Sequence, residues 1–195
     1  MADKGQDYKR NILELLLQTR ASSGMMSTIR SRGISMLPTI LPDEEIEIIH
    51  CPIEDTRMGD IVVFRAKGKL YVHRLVKKVG KGDETLIFEK GDNFVHIGCV
   101  RSEDYLGRVE SIKTEQGFID LKSRGSRVLG SMLAFYGRLM VRMYKGVSFL
   151  TRNLLSRISP RAASRINHAF AWTLNAPSYL TIKAARVILT KSGQN

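Results

Sequence analysis

Short apolar segments separated by polar breakers constrain the fold of this chain most. Between residues 26 and 112 the chain repeatedly passes through such segments, which are interrupted by Gly, Pro, Asp and Lys. Their shortness and their β-branched and aromatic composition are typical of strands. The predicted strands lie in the alternating stretch that starts at residue 26 and at 46–49, 61–64, 70–76, 85–88 and 107–112. Many short strands at close spacing favour an antiparallel, barrel-like or folded sheet.

Helical spacing of apolar residues appears at both ends of the chain. Residues 8–20 fit one amphipathic helix, and the pattern becomes helical again after residue 125. We expect two or three helices there, broken at Pro160 and Pro177. The predicted fold class is therefore α+β, with a mainly antiparallel β core. Its predicted parts are an N-terminal helix (1–24), a β-rich domain (25–122) and a basic amphipathic helical region (123–195).

The net charge of +12 comes entirely from the C-terminal third of the chain. Residues 121–195 contain 13 Lys and Arg and no Asp or Glu, which leaves 18 basic and 19 acidic residues in 1–120. Basic helices with aromatic residues suit an anionic membrane surface. Packing of their apolar faces on the β domain, or an acidic protein or nucleic-acid partner, are the alternatives. Nucleic acid is the least favoured of these, because the chain has no recognised nucleic-acid-binding module.

Neither end of the chain resembles a targeting or membrane-spanning segment. The N-terminal apolar run is too short and too polar for a signal peptide, and the helical region has no mainly apolar run of roughly 20 residues. We therefore expect a cytoplasmic protein that can attach to a membrane surface through residues 123–195.

One segment, residues 33–40 (GISMLPTI), has the form of a nucleophile turn. Ser35 follows a predicted strand and lies two residues after Gly33, which lets a substrate backbone approach closely. Pro38 rigidifies the turn that follows. We expect Ser35 to be an exposed but rigid nucleophile, with Gly33, Met36 and Pro38 contacting the substrate.

Three further segments follow Ser35 in a fixed order: 58–64 (MGDIVVF), 71–74 (YVHR) and 89–93 (EKGDN). Together with 33–40 this ordered set resembles the signal peptidase I superfamily, which includes the LexA-type repressors. The resemblance is to the branch, typified by the eukaryotic signal peptidase, that uses histidine as the base in place of lysine. It implies a serine endopeptidase in which Ser35 attacks the scissile carbonyl and His73 transfers the proton.

Two positions depart from the pattern of that family. The family carries a further Asp a few residues beyond its KGD segment, and residues 94–98 contain none. Asp92 is then the candidate to orient His73, whereas Asp60 reads as a turn residue. In addition, Gly33 occupies a position where bacterial relatives often place a hydroxyl, so the oxyanion hole would rely on backbone N–H groups, that of Ser35 first.

The expected function is cleavage of a peptide, or of the leader or signal segment of a precursor protein. The alternative is a peptidase fold with weak or no catalysis that serves as a peptide-binding or membrane-surface scaffold. We expect no cofactor and no metal, since Ser35 and His73 together provide the nucleophile and the proton carrier. Cys51 and Cys99 are far apart without ligand spacing, and we interpret both as reduced residues.

Overall fold

The computed structural model describes residues 24–155 and 159–192, so the predicted helix at 8–20 lies outside the described residues. Eight strands form one antiparallel sheet. They are β1 (Met26–Arg30), β2 (Glu45–Ile49), β3 (Ile61–Ala66), β4 (Lys69–Val79), β5 (Leu86–Lys90), β6 (Gly98–Arg101), β7 (Tyr105–Thr114) and β8 (Gly117–Asp120). The predicted α+β fold class is confirmed, and β6 and β8 are strands that the sequence did not reveal.

The sheet curls at irregularities in three of its strand pairs. The strand order is β1-β2-β7-β3-β4-β5-β6, and β8 also pairs with β7. The register shifts between Glu47 and Ile48 on β2, between Val63 and Phe64 on β3 and between Leu75 and Lys77 on β4. Such bulges bend strands and increase the local twist.

Alternating side chains place two hydrophobic clusters on the sheet. The larger contains Met36, Ile40, Ile46, Ile48, Ile61, Val63, Leu106, Val109, Ile112 and Ile119. The smaller contains Ile53, Val62, Phe64, Leu75, Ile87, Val100 and Tyr105. Neighbours Val62 and Val63 belong to different clusters, as the two-residue period of a strand requires when both faces are covered.

Two helices follow the sheet. Helix α1 (Arg124–Leu150) begins after Ser123, whose hydroxyl accepts a hydrogen bond from Ser126 N at 3.3 Å, and a π-helical turn (Thr151–Leu155) follows it. Helix α2 (Pro160–Ser192) starts at a proline, a favoured residue in the first turn. We call α1 and α2 together the helical hairpin.

The predicted break at Pro177 is wrong, because α2 continues through it. Pro177 is exposed, so its ring displaces no packed neighbour. Leu174 and Ile182, on either side of it, are both buried and hold the two halves of the helix against the rest of the protein. The division of the chain at residue 122 stays a prediction.

Candidate active site

Ser35 lies in a turn within the long connection (31–44) between β1 and β2. Leu37 N donates to Ile34 O at 3.3 Å and Ile40 N donates to Met36 O at 3.0 Å, which closes the turn. Ser35 is half-buried, whereas Met36 and Ile40 are buried in the larger cluster. The apolar residues on either side of Ser35 therefore anchor its turn in the core.

Of the three residues expected to contact a substrate, only Gly33 is exposed. Met36 belongs to the core, and Pro38, which follows a cis peptide bond, is buried as well. These two residues support the turn from beneath. A Cβ built on Gly33 would lie 4.0 Å from Ser35 Oγ, so the glycine keeps the space beside that hydroxyl open.

The turn after β5 holds the backbone on both sides of the Ser35 Cα. Asn93 N donates to Ser35 O at 2.9 Å, and Asn93 Nδ2 donates to Ile34 O at 3.1 Å. Phe94 N donates to Gly91 O at 3.0 Å and closes the turn itself. The two segments singled out in the sequence at 33–40 and 89–93 are thus hydrogen-bonded to each other.

His73 lies in β4 and is buried, with 8% of its surface exposed. The rings of Phe64 and Tyr71 contact its imidazole at centroid distances of 5.7 and 6.1 Å. Its Nδ1 atom lies 2.5 Å from Oε2 of Glu89 in β5. The two side chains are only 10% and 9% exposed.

The pairing of β4 with β5 explains why these groups meet. Arg74 is opposite Lys90 and Leu75 is opposite Glu89, so continuing the register places His73 opposite Gly91. Side chains opposite each other, and those two residues apart on one strand, share a face of the sheet. His73, Glu89 and the Cβ position of Gly91 therefore point to the same face. Ser35 packs next to Gly91, since a Cβ on Gly91 would be 3.1 Å from Ser35 Cβ.

Asp92 does not contact His73 as predicted; its carboxylate is bound by other groups. Arg74 Nε and Nη2 donate to its two oxygens at 2.8 and 2.6 Å, and Thr39 Oγ1 donates at 2.5 Å. Burial alone would raise the pKa of Asp92, but the charge of Arg74 and the hydrogen bonds from Arg74 and Thr39 outweigh it and lower the pKa. Arg74 points to the face opposite His73, because it is the next residue of β4, and Asp92 is bound to it there. Asp92 thus joins β4 to the turn after Ser35.

Lys90 is a second buried charge beside the turn. Its Nζ donates to Gly91 O at 3.0 Å, and a Cβ on Gly137 of α1 would lie 3.0 Å from Lys90 Cδ. Burial lowers its pKa to about 8, an effect that the charge of Arg74 reinforces and that of Asp92 opposes. The amine is therefore held between the helical hairpin and the turn that contacts Ser35.

The helical hairpin also contacts the turns around Ser35 directly. Arg186 Nη1 donates to Thr39 O at 2.6 Å, and its Nη2 forms an ion pair with Glu44. Asn175 Nδ2 donates to Asn93 O at 3.3 Å. Helix α2 thus holds the segment after Ser35 and the turn after β5 at the same time.

Asp60 and His50 make structural contacts. Asp60 Oδ2 accepts from Arg57 N at 2.8 Å, a turn contact that fits the structural role expected for it. His50 is fully buried, with Nε2 2.8 Å from Ser27 Oγ and Nδ1 2.8 Å from Leu106 O. Glu89 was not singled out as a site residue. The signal that would have revealed it is the β4–β5 register, which places Glu89 two residues from the partner of His73.

Curated relatives match about a third of the chain. The signal peptidase complex catalytic subunit sec11 of Sclerotinia sclerotiorum is 40% identical over 72 residues, covering 34% of this chain and 42% of the relative. The subunit of Chaetomium globosum is 36% identical with the same coverage, and that of Colletotrichum graminicola is 46% identical over 43 residues, covering 21% of this chain and 25% of its own length. The chain thus spans less than half the length of these relatives. No family model and no solved structure matches it.

These relatives correct the expectation of a cytoplasmic protein, because they are named as subunits of the signal peptidase complex and not as cytoplasmic enzymes. Within residues 24–155 and 159–192, neither helix combines the length and the apolar character needed to cross a bilayer.

Proposed function

We propose that this chain, which is signal peptidase I-like over the 72 residues it shares with its relatives, is a serine endopeptidase that cleaves the signal or leader segment of a precursor protein. Ser35 is the proposed nucleophile and His73 the proposed general base. The observation that carries the proposal is that the turn after β5 is hydrogen-bonded to the backbone at Ser35, while β5 itself pairs with β4, the strand that contains His73.

In the proposed first step, Ser35 Oγ bonds to the scissile carbonyl carbon while its proton moves to His73 Nε2. The C–N bond then breaks, and the leaving amine takes that proton from Nε2. A water molecule reverses the sequence: its proton goes to Nε2, its oxygen bonds to the acyl carbon, and Ser35 Oγ leaves and recovers the proton. Histidine suits both halves of this cycle because it can accept and release a proton near neutral pH.

The negative charge that develops on the carbonyl oxygen would be stabilised by backbone N–H groups, first that of Ser35. Asn93 supports this arrangement by holding the carbonyl oxygens of Ile34 and Ser35 on the other side of the turn. Gly33 is exposed next to the hydroxyl and leaves room for a peptide backbone. An extended peptide could pair with the outer edge of β1, the terminal strand that leads into this turn.

Labelling with a fluorophosphonate probe tests this proposal without knowledge of the substrate. Wild type should label at a single site, and Ser35→Ala should remove the label completely. His73→Ala should slow labelling by about 10³-fold or more, since an unassisted serine is a weak nucleophile. His96→Ala is the matched control and should label at the wild-type rate. A folded wild type that resists labelling, or labelling that survives Ser35→Ala, would contradict the proposal.

We also propose that the helical hairpin binds an anionic lipid surface. An exposed apolar row, which we call the outer stripe, runs along α1 at intervals of three and four residues. It consists of Val128, Met132, Phe135, Leu139 and Met143. Met132 and Phe135 are 64% and 61% exposed, an unusual exposure for large apolar side chains at adjacent turns of a helix. The row is flanked by Arg127, Arg138 and Lys145, and α2 adds exposed Trp172, Leu180, Val187 and Ile188.

The basic residues around the outer stripe favour anionic lipid as the partner of this surface. An apolar stripe bordered by Lys and Arg, in a region without any carboxylate side chain, matches acyl chains next to anionic headgroups. Each basic residue near such a surface contributes about 1 kcal/mol at moderate ionic strength.

Vesicle flotation tests the lipid proposal. The protein should float with vesicles of phosphatidylcholine and phosphatidylserine, should float less at high salt and should stay at the bottom with phosphatidylcholine alone. Phe135→Glu should reduce flotation strongly, whereas Phe118→Glu should not, because Phe118 is also an exposed phenylalanine but lies on β8, outside the hairpin. Absence of flotation with anionic vesicles would contradict the proposal.

A further inference from the structure

We infer that Glu89 is the positioning residue for His73 and takes the role that the sequence pattern had suggested for Asp92. This inference rests on the proposed Ser35 and His73 chemistry. The carboxylate that orients His73 would then come from the residue just before the KGD segment (90–92), and not from an Asp beyond that segment. Both partners of the contact are almost fully enclosed, and Glu89 Oε2 lies 2.5 Å from His73 Nδ1.

The position of the Glu89 carboxylate depends on a glycine in the next strand. Gly98 in β6 is opposite Glu89, and a Cβ built on Gly98 would overlap Oε1 of Glu89. The missing side chain at Gly98 thus provides the space for one carboxylate oxygen while the other reaches His73. The glutamate is longer than an aspartate by one methylene, and the register places it diagonally across from His73, two residues from the position opposite to it.

The chemistry of a histidine base explains why this contact matters. A carboxylate accepts a hydrogen bond and cannot donate one, so it requires the proton of a neutral imidazole to be on Nδ1. The lone pair of Nε2 is then free to take the proton of Ser35. When Nε2 becomes protonated, the negative charge of Glu89 stabilises the imidazolium, and Glu89 itself remains ionised.

Nearby aromatic rings shield the contact between Glu89 and His73 from water. Phe64 contacts the imidazole edge-on, and Tyr71 stacks on Phe64 at a centroid distance of 5.8 Å. Water is thereby kept from most of the ring, which strengthens the interaction of the carboxylate with it. The other carboxylate of residues 89–93, that of Asp92, already accepts hydrogen bonds from Arg74 and Thr39.

Four variants test the inference on the full chain. Glu89→Gln should slow the maximal rate of fluorophosphonate labelling by about 10³- to 10⁴-fold without weakening probe binding, since an amide permits the wrong tautomer. Glu89→Asp should recover part of that loss. Gly98→Ala leaves both partners in place but displaces the carboxylate, and should slow labelling by about 10- to 100-fold. Glu110→Gln is the control, because Glu110 is also buried and ion-paired, to Arg108 and Lys122.

Nitrogen NMR of the His73 ring measures its tautomer, which would not change if Glu89 had a purely structural role. In wild type and Glu110→Gln, the neutral ring should carry its proton on Nδ1; in Glu89→Gln and Gly98→Ala, a mixture of tautomers should appear. An unchanged tautomer in Glu89→Gln would overturn the inference even if labelling fails. If Ser35→Ala fails to remove the label, the proposed function is wrong, and the NMR result still decides the role of Glu89.

Discussion

Gly91 packs directly on Ser35: a Cβ on Gly91 would lie 2.7 Å from Ser35 O and 3.1 Å from Ser35 Cβ. We therefore expect Gly91→Ala to move the nucleophile turn, because the atom it meets first belongs to the backbone. A displacement of about 1 Å can cost about 10²-fold in rate. Fluorophosphonate labelling should slow by at least about 10-fold, while the thermal midpoint should fall only modestly. A labelling rate equal to wild type would mean that the turn adapts without cost.

Gly130 and Gly146 both lie inside α1 but should respond in opposite ways to alanine. A Cβ on Gly130 would lie 2.7 Å from Gly59 O, whereas nothing lies within 4 Å of one on Gly146. Gly146→Ala should raise the free energy of unfolding by about 0.5–1 kcal/mol through helix propensity. Gly130→Ala should lower it by about 1–3 kcal/mol, because the helix must shift away from the turn at Gly59. Urea unfolding of the two variants checks the sign, and stabilisation by both would contradict the close packing.

Lys90 should make stability rise with pH. Burial lowers its pKa in the folded state to about 8, below its value in the unfolded chain. The unfolded chain therefore binds more protons between about pH 8 and pH 10.5, and the free energy of unfolding increases through this window. The difference in unfolding free energy between wild type and Lys90→Met should grow by about 2 kcal/mol in favour of wild type from about pH 7.5 to about pH 9.5. Urea unfolding at the two pH values measures it, and a constant difference would show that Lys90 is not desolvated.

Arg186 should be essential for docking α2 onto the turn after Ser35. Its guanidinium is 15% exposed and the Glu44 carboxylate is 10% exposed, so removing one partner leaves a buried charge. Arg186→Met should lower the free energy of unfolding by roughly 3 kcal/mol. Adding Glu44→Gln should restore part of this loss. The control Lys183→Met, one turn earlier on α2 and exposed, should change stability by less than about 0.5 kcal/mol.

The strands that sequence predicted share one property. Segments such as 46–49 and 61–64 are rich in Ile and Val, and their composition alone indicates a strand. By contrast, β6 and β8 are four residues long and begin at glycines, so their pairing with longer neighbours stabilises them more than their own composition does. Helix α2 shows the same limit, because packing on both sides of Pro177 outweighs the preference of proline to end a helix.

For the candidate site, the sequence indicated residues through ordered motifs but could not assign contacts between them. Ser35, His73 and Asp92 stand in three separate segments, and the folded chain brings all three segments together. Which carboxylate meets His73 depends on the face that each residue occupies, and this follows from the pairing of β4 with β5. Asp92 belongs to the recognisable KGD segment, yet its carboxylate is bound to Arg74. The sequence likewise did not indicate that Met36 and Pro38 are buried, because their burial depends on how the turn packs on the core.

Two residues apart on α2, Arg186 and Ile188 point in nearly opposite directions. Arg186 reaches the carbonyl oxygens of Pro38 and Thr39, while Ile188 is 68% exposed. Only the thickness of one helix, about 10 Å, separates the two sides. If the exposed side of α2 lies on lipid, as proposed, the helix therefore holds the segment after Ser35 about one helix diameter from the headgroups.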